Sequence, residues 1–258
     1  MNTESFKRYS LGALGFILII AAWWIVAETA FRKSGVIPSP PSLIAQLSDD
    51  GFAYYLRQIS VTLASAGQGL LWGVSLALIL STAVMLLPRL APPVSQFAVF
   101  VECAPAVAVG PVVLAVAGGR TPSIFLAAMA VFFTTLLGAL LGARAVRDVE
   151  LELVHVYGGK RWDIFRKVRL PAALPSAFTS LQIAIPAAIL GVLIGEYLGG
   201  VDSGIGVALS VAQRSVQVER TWIFGLSAAL ITTCGYVSVL GASRVFLPWS
   251  TTAKVGSP

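Results

Sequence analysis

The sequence predicts an all-helical, polytopic membrane protein with about six transmembrane helices, and three observations carry that prediction. Of its 258 residues, 57% are hydrophobic and only 12% charged, against roughly 25% charged in an ordinary soluble domain. Several apolar runs reach the roughly 20 residues that, at about 1.5 Å per residue, cross a hydrocarbon core of about 30 Å. The net charge of +6 comes from Lys and Arg placed between those runs, as topology signals are, and not from an aromatic-interleaved basic surface suited to nucleic acid.

The first span is "LGALGFILIIAAWWIVAETA", residues 11–30, uncharged until Glu28 and followed by no clear small-residue cleavage site, so it is expected to stay as an anchor. Trp23 and Trp24 in it read as a lipid-facing or interfacial pair. Residues 34–58 hold prolines and charges that exclude a span, and "SLIAQL" within them suggests a short amphipathic helix at the membrane surface. Span two covers 59–87 and stops at "LPRLAPP". Span three, 94–117, contains Pro105 and Pro111 and should be kinked or broken. Span four is 122–142, span five 176–199 and span six 221–247, the last two joined by a polar segment whose "IGVALSVA" is too short to cross.

With the N-terminus inside, the inner segments hold twelve of the 18 Lys and Arg residues and the outer segments six. The asymmetry places both termini, and the long segment 144–175, in the cytoplasm. Residues 1–10 then form a short cytoplasmic N-terminus and 11–258 one transmembrane domain in a cytoplasmic, that is inner, membrane.

Chemistry is sparse. Cys103 and Cys234 each lie in an apolar run, which argues against a disulfide framework or a CxxC metal site, and His155 is the sole histidine. "GGKRW" lacks the phosphate-loop spacing, since Lys160 precedes Arg161 and not Ser or Thr. No metal site, cofactor, enzymatic activity or ATP hydrolysis by this chain is expected. An ion-coupled transporter would want coupling carboxylates at mid-membrane and two related halves; Glu102 is one isolated candidate and no repeat is evident.

The segment "ELVHVYGGKRWDIFRKVRLPAALP" interrupts this apolar chain. It reads as two short helices about a glycine turn at Gly158 and Gly159. Val146, Val149, Leu153 and Val156 recur at helical spacing and should lie against the membrane domain. The second helix shows Trp162 and Phe165 on one side and Arg161, Arg166 and Lys167 elsewhere, and Pro171 and Pro175 should end it.

Glu152, Leu153 and Val154, then Gly158, Val168, Leu170 and Pro171, stand without a gap at the positions of the E-A-A, G and I-x-L-P elements of the "EAA" loop. The segment thus resembles the coupling loop of bacterial ABC importer permeases. With "IPSPPSLIAQL", "LPAALPSAFTSLQIAIPAAILGVLIGEYLGG" and "SGIG", the whole chain is similar to the nitrate, sulfonate and taurine permease subfamily. Departures are the bulky Leu153 and Val154, "VECAPAVAVGP" in span three, and "AVAGGR" at its end.

That resemblance implies a type I ABC importer permease fold, in which 152–171 docks on an ATPase subunit through Glu152, Leu153, Val154, Gly158, Gly159, Arg161, Trp162, Val168, Leu170 and Pro171. It also implies two ATPase copies, a second permease copy, a periplasmic or lipid-anchored solute-binding protein, and a small anion, or a pyrimidine thiamine precursor or riboflavin, as cargo. His155 reads as part of the docking surface.

Polar residues within spans are candidates for the translocation path: Glu102, Gln182 and Glu196. Glu102 has the alternative of a span end, Glu196 reads first as interfacial, and Gln68 and Gln182 are placed to hydrogen-bond between helices. Gly69 with Gly73, Gly138 with Gly142, and Gly191 with Gly195 and Gly199 read as close-packing surfaces.

Overall fold

The computed structural model describes residues 3–247. Lys254, counted above among the inner cations, lies outside the described residues. Eleven α-helices occur in the described part: α1 (Thr3–Thr29), α2 (Pro40–Asp50), α3 (Phe52–Leu86), α4 (Ala91–Cys103), α5 (Ala106–Ala117), α6 (Thr121–Arg144), α7 (Asp148–Val156), α8 (Arg161–Ile164), α9 (Leu170–Tyr197), α10 (Ile205–Arg214) and α11 (Val218–Phe246). Four helical stretches are long and apolar enough to cross a bilayer: Phe52–Leu86, Thr121–Arg144, Arg161–Tyr197 and Val218–Phe246. The pair Pro88–Cys103 and Ala106–Ala117, bent by 91°, is long and apolar enough when taken together, either as a broken fifth span or as a re-entrant loop. The bend falls at Ala104–Pro105, where the proline ring denies the helix a donor. Of the expected six, the first corresponds to α1, which carries the apolar stretch Leu14–Thr29 among the described residues.

The chain divides into two compact units, residues up to Arg57 with Ala208–Ser227, and Gln58–Val207 with the residues from Ala228 onward. In the first, the expected surface helix is α2, with Pro40 in its first turn, where a missing N–H costs nothing. Helix α3 starts at Phe52, within the stretch expected to stay outside a span. It brings Tyr55, 1% exposed, against Phe224, with ring centroids 5.0 Å apart. Asp50 gathers the polar groups here: Arg220 holds it bidentately, Nε donating at 2.8 Å, while Tyr55 donates at 2.6 Å and Gln46 at 2.9 Å. The Arg220 hydrogen bonds draw its carboxyl down to about 2 from the usual 3.8. Trp23 stacks on Trp222 at 5.7 Å, so the tryptophan pair is not simply lipid-facing; Trp24 alone remains exposed.

The second unit is organised on α6. Its apolar residues Ala127, Val131, Phe132, Leu136 and Ala139 are all buried, and α3 and α9 approach it through small residues. A Cβ added to Gly73 would sit 2.6 Å from the Ala128 carbonyl, and one added to Gly191 would sit 2.7 Å from the Ala127 nitrogen. Backbone contact of this kind replaces the hydrophobic drive that lipid does not supply between helices.

The structure corrects one expected boundary. Pro171 and Pro175 do not end the helix of the interrupting segment; Arg161–Tyr197 is helical throughout, 37 residues long. A π-turn at Phe165–Arg169, closed by the Leu170 N–H donating to the Phe165 carbonyl, precedes Pro171. Widening the turn keeps a carbonyl away from the proline ring and supplies the slack that lets the helix continue.

Candidate functional site

The 148–171 segment is a compact projection within the second unit. At its turn Gly158 takes φ +74°, a conformation that L side chains rarely adopt, and its N–H donates to the His155 carbonyl at 2.9 Å. Gly159 serves by its size: a Cβ there would lie 2.9 Å from the Val154 carbonyl and would strike the Val154 side chain. The next helix opens with the Lys160 N–H donating to Asp163 Oδ2 at 3.0 Å, and Lys167 pairs with Asp163 at 3.2 Å. Ile164 and Phe165 are buried, and Phe165 packs with Met85 and Ala173. Arg169 Nη1 donates to the Met85 carbonyl, tying the junction to the end of α3.

Of the stripe expected to lie against the membrane domain, Val146 is half-buried and lines a cavity with Val84 and Leu140, whereas Val149 is 71% exposed, Leu153 57% and Val156 82%. Tyr157 and Trp162 join them in solvent, Trp162 with its ring 5.2 Å from that of Phe165. Glu152, His155, Arg161, Arg166 and Lys167 are exposed around them. Val154 is half-buried against Gly159, and Val168, Leu170 and Pro171 lie along the root of the projection, Leu170 partly exposed. The projection thus exposes five large apolar side chains, Val149, Leu153, Val156, Tyr157 and Trp162, together with the charged side chains of Glu152, Arg161, Arg166 and Lys167.

The remaining candidates are dispersed. Glu102 is exposed at the end of α4, beside the 91° bend. Gln68 is exposed and Gln182 half-buried, and no bond of either to another helix occurs among the described residues, so the inter-helix bonds expected of them are not made within this chain.

Glu196 is enclosed by protein, 1% exposed, and its carboxyl accepts hydrogen bonds from the Thr62 hydroxyl at 2.9 Å and the Gly206 N–H at 2.9 Å. The Thr62 oxygen in turn accepts from the Ile205 N–H at 2.8 Å, and Gln58 Oε1 accepts from the Gly204 N–H at 2.7 Å. Arg120 stands 3.7 Å from Glu196 and donates to the carbonyl and hydroxyl of Ser203 at 2.8 and 2.7 Å. These groups satisfy the N–H donors that the start of α10 leaves unpaired. "SGIG" is thereby explained: any side chain at Gly204 would collide with the Glu196 carboxyl, and one at Gly206 would lie 2.6 Å from the Leu193 carbonyl. The sequence signal was the nearness of Glu196 to "SGIG", but nothing in it pointed to Thr62.

A family model described as the inner membrane component of binding-protein-dependent transport systems matches residues 69–250, which include the projection and, of the Glu196 cluster, Arg120, Glu196 and residues 203–206, while Gln58 and Thr62 precede the matched range. The chain belongs to this family. The permease component also matches a crystal structure of a bacterial alginate ABC transporter in complex with an alginate-pentasaccharide-bound periplasmic protein. The TM-score is 0.59 at 15% identity, over 94% of this chain and 97% of that one, a likeness of fold. No curated protein matches the permease sequence. Its family thus defines it as a transport component with a multi-pass helical fold, and both clusters described above belong to one permease chain.

Proposed function

We propose that the chain is the translocating subunit of an ATP-driven importer. It works as a homodimer with two copies of a separate ATPase subunit and receives solute from a periplasmic or lipid-anchored binding protein. The observation that carries this reading is the exposure of Val149, Leu153, Val156, Tyr157 and Trp162 on a projection built over two glycines. Exposed large apolar side chains with charged ones among them are what a groove in a partner would cover.

Coupling follows from the continuity of Arg161–Tyr197. Closure of the ATPase pair pushes the projection, and a helix of 37 residues, about 55 Å at 1.5 Å per residue, carries the displacement from Trp162 to Glu196. The path switches between inward-open and outward-open as the two states are differently stabilised by nucleotide. Glu102, Gln182 and Glu196 remain the polar candidates for influencing that path.

For cargo, the resemblance favours a small anion such as a sulfonate, taurine or nitrate. One observation favours a second reading. A cavity of about 560 Å³ is walled by Trp72, Phe97, Phe100, Phe125 and Phe132, with no charged side chain in its lining. Such a wall suits a flat heterocycle, a pyrimidine thiamine precursor or a riboflavin-like ring, better than an anion.

The deciding experiment is purification of the tagged chain from its native membranes in mild detergent, with mass spectrometry of what accompanies it. About one ATPase subunit per permease is expected; a chain that purifies alone, with nucleotide present, refutes the reading. Gly158→Leu should insert normally yet lose ATP-dependent uptake, because φ +74° strains a bulky residue and reshapes the turn. Unchanged uptake in that variant would sink the coupling role.

A further inference from the structure

A second cavity, of about 240 Å³, lies between the ends of α3 and α6 and the α7 arm of the projection. Its wall is apolar at Val84, Met85, Leu140 and Leu151, and two guanidinium groups, Arg144 and Arg169, complete it. No carboxylate lines it. Glu150 pairs with Arg147 at 2.9 Å and Asp163 with Lys167 at 3.2 Å, and Glu152 is exposed outside the lining. Arg169 spends one donor on the Met85 carbonyl, and a guanidinium has five. Arg144 is exposed at the last turn of α6.

We infer that this cavity binds the phosphate headgroup of an anionic phospholipid. Two guanidiniums above an apolar floor match an amphiphile with a phosphate at one end and hydrocarbon at the other. The site lies where two spanning helices end, the depth at which basic pockets between transmembrane helices meet lipid headgroups. At about 30 Å³ per water, its volume is far larger than one or two waters need, and too small for a whole lipid. The headgroup phosphate and first carbons enter, and the acyl chains stay in the bilayer. The inference rests on the reading above only in placing these helix ends at the inner leaflet.

The site touches both roots of the projection. Leu151 belongs to its first arm, Val146 to the connection just before that arm, and Arg169 to its second. A bound headgroup therefore bridges the arms and stiffens the projection against α3 and α6.

The test uses the full chain, purified and delipidated in a neutral detergent, and follows binding by thermophoresis. Three probes are titrated: dioctanoyl phosphatidylglycerol, dioctanoyl phosphatidylcholine and inorganic phosphate. Saturable binding of phosphatidylglycerol is expected, with far weaker binding of the other two. Arg144→Gln should weaken it about fivefold, the loss for roughly 1 kcal/mol per basic residue near a membrane surface, while Arg244→Gln, an equal charge change outside the cavity, should leave it unaltered. Arg169→Gln should weaken it too, but it also frees the Met85 carbonyl, so Arg144→Gln decides. Equal binding of both lipids, an unaffected Arg144→Gln, or no saturable binding overturns the inference. Equal binding of inorganic phosphate overturns the lipid as source and leaves a soluble-phosphate site. ATPase co-purification is read separately: a partner recovered without lipid binding refutes this site alone, and lipid binding without a partner refutes the importer reading alone.

Discussion

Replacing Glu196 separates an internal anchor from a residue that merely lines a path. Two buried donors depend on it, the Thr62 hydroxyl and the Gly206 N–H, and Thr62 is itself fully buried. A buried donor left unpaired costs about 1–3 kcal/mol. Glu196→Met fills the same space, admits no water and accepts no hydrogen bond, so it should destabilise the chain by about 2–6 kcal/mol. Glu196→Gln keeps one carbonyl oxygen and should lose about half as much. Thermal unfolding of the purified chain in detergent is the readout: Met should lower the midpoint by on the order of 10 °C, with Gln between it and the parent. Limited proteolysis should cut the methionine variant between Leu198 and Gly204 first, since that connection loses its tie to α3. A methionine variant as stable as the parent, or a glutamine variant no better than methionine, would refute the anchor.

Gly191→Ala should destabilise by about 1–3 kcal/mol, because its methyl group would sit 2.7 Å from the Ala127 nitrogen. Gly67→Ala, with nothing within 4 Å, should gain about 0.5–1 kcal/mol, and paired unfolding curves check both signs. Val216 holds φ +54°, so Val216→Gly should raise stability by about 1 kcal/mol; a lower unfolding midpoint would show that the side chain matters more than the strain. Asp50 is depressed to about 2, so its pairing with Arg220 contributes stability above about 3.8 that is lost as pH falls toward 2. Asp50→Asn should remove that part of the acid dependence, and identical acid unfolding of the two chains would contradict the assignment.

The spans were legible because a bilayer admits only helices and closed barrels, so apolar length nearly dictates the element. Pro105 was legible as a break for the same local reason, a missing donor and a clashing ring. The same rule failed at Pro171, where the π-turn at Phe165–Arg169 absorbs the defect, and at Pro175, which lies inside α9. Such a turn is chosen by the packing of Phe165 on Met85 and Ala173, which no local pattern reports. Periodicity likewise located the stripe Val149, Leu153 and Val156 but not the side on which its partner stands. Hydropathy gives a residue's depth and not its neighbours: Glu196 read as interfacial, while its hydroxyl donor, Thr62, is 134 positions away.

The continuous helix alters what these two clusters mean together. Had Pro171 ended the helix, the projection would hang on a flexible joint, and a push on Trp162 would dissipate there. As built, the projection and Glu196 are the two ends of one helical rod, and each end is tied to α3, at one through the Arg169 guanidinium donating to the Met85 carbonyl and at the other through the Thr62 hydroxyl donating to Glu196. Under the coupling proposed above, a rod tied at both ends to the same neighbour would move with it, and a displacement at the turn of Gly158 would reach the start of α10. The two glycine motifs, far apart in sequence, would then serve one mechanical element: the first shapes the turn where force is proposed to enter, and the second lets the loop fold closely over Glu196.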